Sequence, residues 1–314
     1  MLSVGVLTQP FFHDEAAAVT KLESIVWPTD VVCPHCGVVG EGYELKGKRS
    51  RIGLRRCKAC KKDFTVRVGT IFESSHVELY KWFQAVYLMA SSKKGISAHQ
   101  LHRTLEVTYK TAWFMAHRIR KAMRSGDLAA FGGAGGIVEV DETFIGNDRA
   151  VKPKGEKKGR GYAHKYEVLS LVDRTTGRAR SMVVDGLKAA DMTPTLTANI
   201  AAEAHVMADE AGQYKRIGEK FAAHDFVSHG KGEYGRGLIH TNTIEGFFSV
   251  FKRGMKGVYQ HSAKKQLHRY LAEFDFRYYE RAALGVNDER RTEKLFAGIV
   301  GRRLMYRDSF KAAV

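Results

Sequence analysis

The sequence predicts an α/β protein: a mixed sheet with helices packed on it, preceded by a small cysteine-clipped module and a short helical region. Three observations carry this. Four cysteines fall in two close pairs near the start of the chain. A helix-period apolar stretch follows them. From residue 134 onward, short apolar runs alternate with helical ones, the pattern of a sheet covered by helices. The 314 residues suit roughly two domains. A 44% hydrophobic content with 11% aromatics excludes global disorder. No apolar run nears the ~18 residues of a membrane helix. No Lys or Arg precedes Lys21, so the basic start of a secretory signal is missing. The expectation is a cytoplasmic protein with no membrane role. Its net charge of +17 favours a polyanionic partner.

Residues 1–24 form an N-terminal segment. Residues 25–72 contain Cys33, Cys36, Cys57 and Cys60, as C-P-H-C-G and C-K-A-C-K. Two C-x-x-C turns can close a tetrahedral thiolate shell around Zn²⁺. Gly37 suits a knuckle that needs a positive φ. A redox pair or four unrelated thiols is the competing reading; the use of all four cysteines favours zinc. Four protein ligands leave no open position, so this Zn²⁺ is expected to be structural and to supply folding energy. Between Gly42 and Lys62 there are nine Lys/Arg, Arg55 and Arg56 among them, against Glu44 alone. That balance reads as a phosphate-contacting zinc ribbon.

Residues 73–126 read as helical. HVELYKWFQAVYLMA places Tyr80, Phe83, Val86, Tyr87 and Ala90 at helical spacing. Ser97 and Thr108 look like N-caps of two further helices joined by a short turn, a helix-turn-helix pattern. The second has an apolar face of Ala112, Ala116, Ile119 and Met123. Its basic set of Lys110, Arg118, Arg120, Lys121 and Arg124 suits a major groove. A purely structural helical bundle is the alternative. The stretch 125–136, SGDLAAFGGAGG, reads as a linker.

Residues 134–285 carry the second constellation. GIVEVDETFIG is a strand in which Glu139 and Asp141 share one face and Glu142 points away. KYEVLSLVDRTTGRARSMVVDG is a hairpin turning at 174–177, with Asp173 capping the turn. AADMTPTLTANIAAEA is a helix whose start holds Asp191, and AHVMADEAGQY a strand ending at Asp209. Another short strand leads into a Gly-rich loop flanked by His229 and His240. HTNTIEGFFSVFKRGMKG is a helix with Ile244, Phe247, Phe248, Phe251 and Met255 buried. The order strand, strand, strand, helix, strand, helix, strand, helix is the core of the ribonuclease-H-like fold. Its metal ligands come from the first strand, the fourth strand and a later helix, which selects Asp141, Asp209 and Glu245. Lys252 follows Glu245 by seven residues, about 20° around the helix. Such carboxylates suit Mg²⁺ or Mn²⁺, two of which can serve in-line phosphoryl transfer. Lys252 suits a substrate phosphate.

The chain resembles the bacterial insertion-sequence DDE transposases, specifically the ISXO-like group that joins a zinc ribbon to a catalytic domain. The matching stretches are CPHCG, CKACKKDFTVRVGTIFESS, VEVDETFIG, VLSLVDRTTGRAR, ADEAGQY and the long block from His240 to Arg281. The resemblance implies cutting at insertion-sequence ends and joining the freed 3′-hydroxyls to target DNA. It implies Asp141, Asp209 and Glu245 as the metal-binding triad with Lys252 behind it, and a homo-oligomer, at least a dimer, since two ends are cut together. Members of the group can carry Asn at the third position, which makes Asn242 a rival. Its partner seven residues on is Ser249 rather than a base, which favours Glu245. Glu139 and Glu142 are rivals of Asp141. The DNA backbone is expected at Arg253 and Lys256 and at the loop holding Lys157 and Lys158. A DNA-binding relative without catalysis, or a nuclease without strand transfer, are the competing functions. The expected location is the nucleoid. The tail 286–314 is expected to be helical and to pack on the core, with no role assigned to it.

Overall fold

The structure, a computed structural model, describes residues 5–47, 50–147, 164–228, 230, 232–233 and 235–305. Lys157, Lys158 and His229 lie outside the described residues. The chain divides into two compact units. One comprises residues up to Ser92, Ile96–Met123 and the stretch from Val286; the other comprises Lys93–Gly95 and Arg124–Gly285.

The first unit begins with α1 (Glu15–Val26), capped by Asp14, whose carboxylate accepts from the Ala17 amide. The ribbon strands β1 (Gly42–Glu44), β2 (Arg55–Cys57) and β3 (Asp63–Phe64) pair antiparallel in that order. Helix α2 (Leu79–Ser91) buries Leu79, Trp82, Phe83, Val86, Met89 and Ala90. The sequence stripe placed Tyr80 and Tyr87 inside; both are only half-buried. The helix is turned so that Trp82 and Phe83 face Phe72 and Phe296, with ring centroids 5.3 and 4.7 Å apart. Phe296 lies on α9 (Asp288–Ala297), so part of the tail is a core element of this unit. Helices α3 (Ala98–Leu105) and α4 (Tyr109–Met123) form the expected pair. Ser97 accepts from the Gln100 amide and Thr108 from the Thr111 amide. Glu106, in the left-handed region at φ 52°, ends the first helix.

The second unit is a five-stranded sheet built from β4 (Ile137–Ile145), β5 (Tyr166–Asp173), β6 (Ala179–Val184), β7 (His205–Asp209) and β8 (Ala223–Val227). The spatial order is β6-β5-β4-β7-β8. The first three form an antiparallel meander, and β7 and β8 add parallel to β4. This is the mixed sheet that the element order predicts. Alternation along each strand gives the sheet two apolar faces. Val138, Val140, Leu169, Leu171 and Val206 pack with α5 (Ala189–Asn199) and α6 (Gly212–Gly218). Ile145, Val168 and Val172 pack with α7 (Asn242–Gly254) and α8 (Lys264–Tyr279).

Two local features depart from the sequence reading. Residues 125–136 are not an open linker: Phe131 is buried and bridges Ile200, accepting from the Ala201 amide at 2.9 Å. The helix carrying Glu245, read as running through Gly257, keeps α geometry only to Gly254 and changes to a π-turn over Met255–Tyr259. A Cβ at Gly254 would lie 2.4 Å from the Phe274 ring and 2.6 Å from the Lys94 carbonyl, so only glycine lets α7 and α8 approach this closely.

Candidate metal centres

The cysteine cluster is made by two equivalent turns. The Gly37 amide donates to the Cys33 carbonyl at 2.9 Å, and the Lys61 amide to the Cys57 carbonyl at 3.0 Å. Both residues sit in the left-handed region, at φ 75° and 59°. These bonds curl each C-x-x-C so that its thiols converge. Cys33 Sγ lies 3.7 Å from Cys60 Sγ, and Cys36 Sγ 3.7 Å from Cys57 Sγ. All four sulfurs lie within 4.8 Å of one another. A tetrahedron with Zn–S bonds of about 2.3 Å has sulfurs roughly 3.8 Å apart, so the donor set fits Zn²⁺ in chemistry and size.

The acidic site is made by strand register. β4 and β7 pair in parallel as Ile137 with His205, Val138 with Val206 and Glu139 with Met207. The same offset carried two residues on sets Asp141 level with Asp209. Both then lie past the last paired rung, on the face that α7 covers. Openings at the carboxyl ends of parallel strands are where α/β sheets admit ligands. Burial pushes the Asp141 carboxyl up to about 7; the charges of Glu142 and Asp209 add to this and Lys252 opposes it. Asp141, Asp209 and Lys252 therefore share one electrostatic neighbourhood. Lys252 also lies 5.5 Å from the centroid of the Phe248 ring.

Glu245 is exposed in the first turn of α7, and its Oε1 accepts from the Thr241 hydroxyl at 3.1 Å. Among the described residues, only the four cysteines gather three or more ligand atoms within 4.8 Å of one another. The three acids are not gathered that tightly. Their donor chemistry suits a hard cation, which would favour the ionised Asp141 that burial disfavours.

The rivals of Asp141 are occupied elsewhere. Glu142 points to the other face, as expected, where Gln213 donates to Oε1 at 3.2 Å and the Tyr214 hydroxyl to Oε2. Glu139 shares the Asp141 face but is fully enclosed. It accepts from Arg174 Nε at 2.5 Å and from the Ile244 amide at 2.8 Å. Each oxygen already accepts one of these bonds, and the side chain has no solvent exposure. The sequence reading missed Arg174 as a partner, and only the strand register could have revealed it: the residue follows Asp173, which pairs with Val138. Asp173 caps its turn as expected, accepting from the amides of Thr175 and Thr176. Asn242 is the first residue of α7 and is exposed.

The basic residues divide. Arg118 and Arg120 are 5% and 2% exposed, so the expectation that they contact DNA is corrected. Arg118 donates to the carbonyls of Leu304, Ile71 and Glu73 at 2.7–3.0 Å, inside its own unit. From Met115 to Arg120 every residue of α4 is buried, whereas Tyr109 and Lys110 at its N-terminal end are exposed. Lys121 donates to the Arg303 carbonyl at 2.9 Å. Arg55 pairs with Glu23 at 3.1 Å and Arg56 with Asp63 at 2.6 Å. Arg253 and Lys256 are exposed on and after α7.

No helix among the described residues is long and apolar enough to cross a membrane. Residues 133–279 match the family described as the ISXO2-like transposase domain, and residues 13–63 the transposase zinc-ribbon domain. A protein of Halobacterium salinarum, described as an uncharacterized protein in transposable element ISH50, is 31% identical over 280 residues. The match covers 85% of this chain and 91% of that one. Two solved structures show 13% identity. One is a simian T-cell lymphotropic virus intasome with the PP2A regulatory subunit B56 gamma (TM-score 0.28, covering 62% of this chain and 65% of that one). The other is a pre-cleavage Mos1 transpososome (TM-score 0.29, covering 64% and 74%). At such TM-scores the likeness fixes neither fold nor function. The family matches cover both the cysteine cluster and the acid-bearing sheet, and the relative spans most of the chain: this protein belongs to the ISXO2-like (IS1595) transposases.

Proposed function

We propose that the chain binds insertion-sequence ends, cleaves them to expose 3′-hydroxyls and joins those hydroxyls to target DNA. The observation that carries this is the register that sets Asp141 and Asp209 level on neighbouring parallel strands, with Lys252 in the field of Asp141. Asp141, Asp209 and Glu245 would hold Mg²⁺ or Mn²⁺, which supplies activation of the attacking oxygen and stabilisation of the leaving one. Asp141 and Asp209 present hard oxygens from the rigid sheet. Thr241 aims the Glu245 carboxylate from the helix. Lys252 meets the non-bridging oxygens of the scissile phosphate, a point charge on a flexible stem. No covalent link to protein forms, so no Ser or Tyr nucleophile is needed.

Cys33, Cys36, Cys57 and Cys60 hold a structural Zn²⁺, and the ribbon with α3 and α4 recognises the ends. The burial of Arg118 and Arg120 moves the DNA-contacting part of α4 to its exposed N-terminal turn, around Tyr109 and Lys110. That is the end a recognition helix presents to base edges. Arg253 and Lys256 hold the backbone, and two copies of the chain act on paired ends.

The test is incubation of the full chain with duplexes carrying the DNA that flanks its gene, with and without Mg²⁺, read on a denaturing gel. Nicked and joined products are expected. Asp209→Ala should reduce both by at least about 100-fold while end binding stays within about twofold. Retained joining in that variant would remove Asp209 from the chemistry. Hydrolysis without joining would favour a nuclease, and binding without nicking a DNA-binding relative.

A further inference from the structure

Helix α7 begins without a side-chain cap of its own. Its N-cap residue, Thr241, is 2% exposed and has the hydroxyl that ordinarily accepts from an amide of the first turn. Here that hydroxyl donates instead to Glu245. The first-turn amide of Ile244 is taken by a carboxylate from another element, Glu139 on β4. A buried carboxylate at a helix N-terminus is favoured by the axial dipole as well as by the hydrogen bond. The second oxygen of Glu139 is held by Arg174, which follows the β5 strand.

Arg174 completes the arrangement. Its Nη1 donates to the Leu238 carbonyl at 2.6 Å, and its Nη2 to the His240 carbonyl at 2.6 Å and to His240 Nδ1 at 2.8 Å. Arginine can only donate, so Nδ1 of His240 accepts. One guanidinium thus fixes the polypeptide just before α7, while the carboxylate it holds fixes the helix itself. Glu139 lies two residues before Asp141, and Ile244 one residue before Glu245.

We propose that Glu139 and Arg174 are positioning residues that set Glu245 against Asp141 and Asp209, with Thr241 aligning the Glu245 carboxylate. This rests on reading those three acids as ligands of a divalent cation. Glu139 touches neither ion nor DNA. It acts by fixing the helix that brings the third ligand to the sheet. Outer partners that orient ligands typically change metal affinity or activity by about 10–100-fold when lost.

The experiment uses the zinc-loaded full chain and Mn²⁺ as probe, with free Mn²⁺ followed by electron paramagnetic resonance. Glu139→Gln, Arg174→Lys and Thr241→Val are compared with the parent, and Asp209→Ala is the control. The proposal expects folded variants, end binding within about twofold, and Mn²⁺ affinity lowered at least about 10-fold in Glu139→Gln and Arg174→Lys. Turnover should fall at unchanged KM. Lower melting temperature with Mn²⁺ affinity within twofold of the parent would make the cluster merely structural and overturn the proposal. If Glu139→Gln does not fold, Arg174→Lys decides by the same criteria, since it keeps the charge and loses only the fork. Should Asp209→Ala bind Mn²⁺ as tightly as the parent, the reading of the acids fails. If that control loses the ion while Arg174→Lys and Glu139→Gln keep it, the positioning proposal alone fails.

Discussion

The two candidate metal centres are built in opposite ways. The four thiols come from two tight turns, each closed by a backbone bond within five residues, and all four sulfurs meet within 4.8 Å. The three acids come from two strands and a helix far apart in the chain, and they do not gather so closely. A turn brings its own side chains together at little cost in chain entropy. Ligands from distant elements meet only after a sheet has paired and a helix has docked. Burying a carboxylate also resists assembly, with the charges of Glu142 and Asp209 adding to it, as the raised Asp141 shows. On the proposed reading, one site would be a cause of folding and the other a product of it.

The largest effect should come from the locally built centre. Cys57→Ala should drop zinc content to near zero and unfold the ribbon, because structural zinc is worth on the order of 10 kcal/mol in small modules. Metal analysis and circular dichroism would show it. Full zinc occupancy in that variant would break the contrast drawn between the centres.

Next comes Arg118, whose charge the sequence offered to DNA and the fold spends on three carbonyls. Arg118→Ala should destabilise the protein by about 3 kcal/mol in urea, roughly 1 kcal/mol for each orphaned carbonyl. Arg253→Ala, at the surface, should change stability by less than about 0.5 kcal/mol. Equal effects would mean that Arg118 is not a structural residue.

A smaller effect lies where α8 meets the edge strand β6. Asp275 on α8 accepts from the Ser181 amide at 2.9 Å and its hydroxyl at 2.7 Å, yet burial pushes its carboxyl up to about 7. The folded state therefore holds a proton that the unfolded chain releases near pH 4. Stability from this group should fall as pH rises from about 4 to 7 and level off above. Asp275→Asn should remove that part of the slope. The change should be on the order of 2 kcal/mol, since each pKa unit is worth about 1.4 kcal/mol and partial hydration reduces the full value. Identical pH–melting curves for the two proteins would refute it.

The smallest effect is at Lys61, which occupies in the second knuckle the left-handed position that Gly37 takes in the first. Lys61→Gly should stabilise the ribbon by roughly 0.5 kcal/mol, the relief of strain being partly offset by a more flexible unfolded chain. A lower melting temperature would show that the Lys61 side chain makes contacts that outweigh its backbone strain.

Much of this was legible in the sequence because it is periodic or local. The alternation in IVEVDETFI gave the first strand and the face of Asp141. The apolar spacing after Thr241 gave α7, and Ser97 and Thr108 announced the starts of their helices. The stripe of α2 held at Phe83, Val86 and Ala90 but took in Tyr80 and Tyr87 and missed Leu79, Trp82 and Met89, since aromatic partners from Phe72 and Phe296 set its rotation. Phe131 hid inside what composition marked as a linker. Arg118 and Arg120 looked like a DNA-reading face because a helix-period pattern shows which residues share a side, not what covers that side.

The sequence by itself determined the cysteine knuckles, the order of strands and helices, and the residue types able to hold a cation. These depend on spacing, and spacing is written in the chain. Only the tertiary structure decided that Glu139 faces inward to hold Arg174 and the start of α7, leaving Asp141 to stand beside Asp209. Glu139 and Asp141 lie on the same face of β4, and their different surroundings come from the register of β7, the docking of α7 and the reach of Arg174. Those are long-range facts, fixed when burying the two apolar faces of the sheet outweighs the entropy of bringing distant segments together.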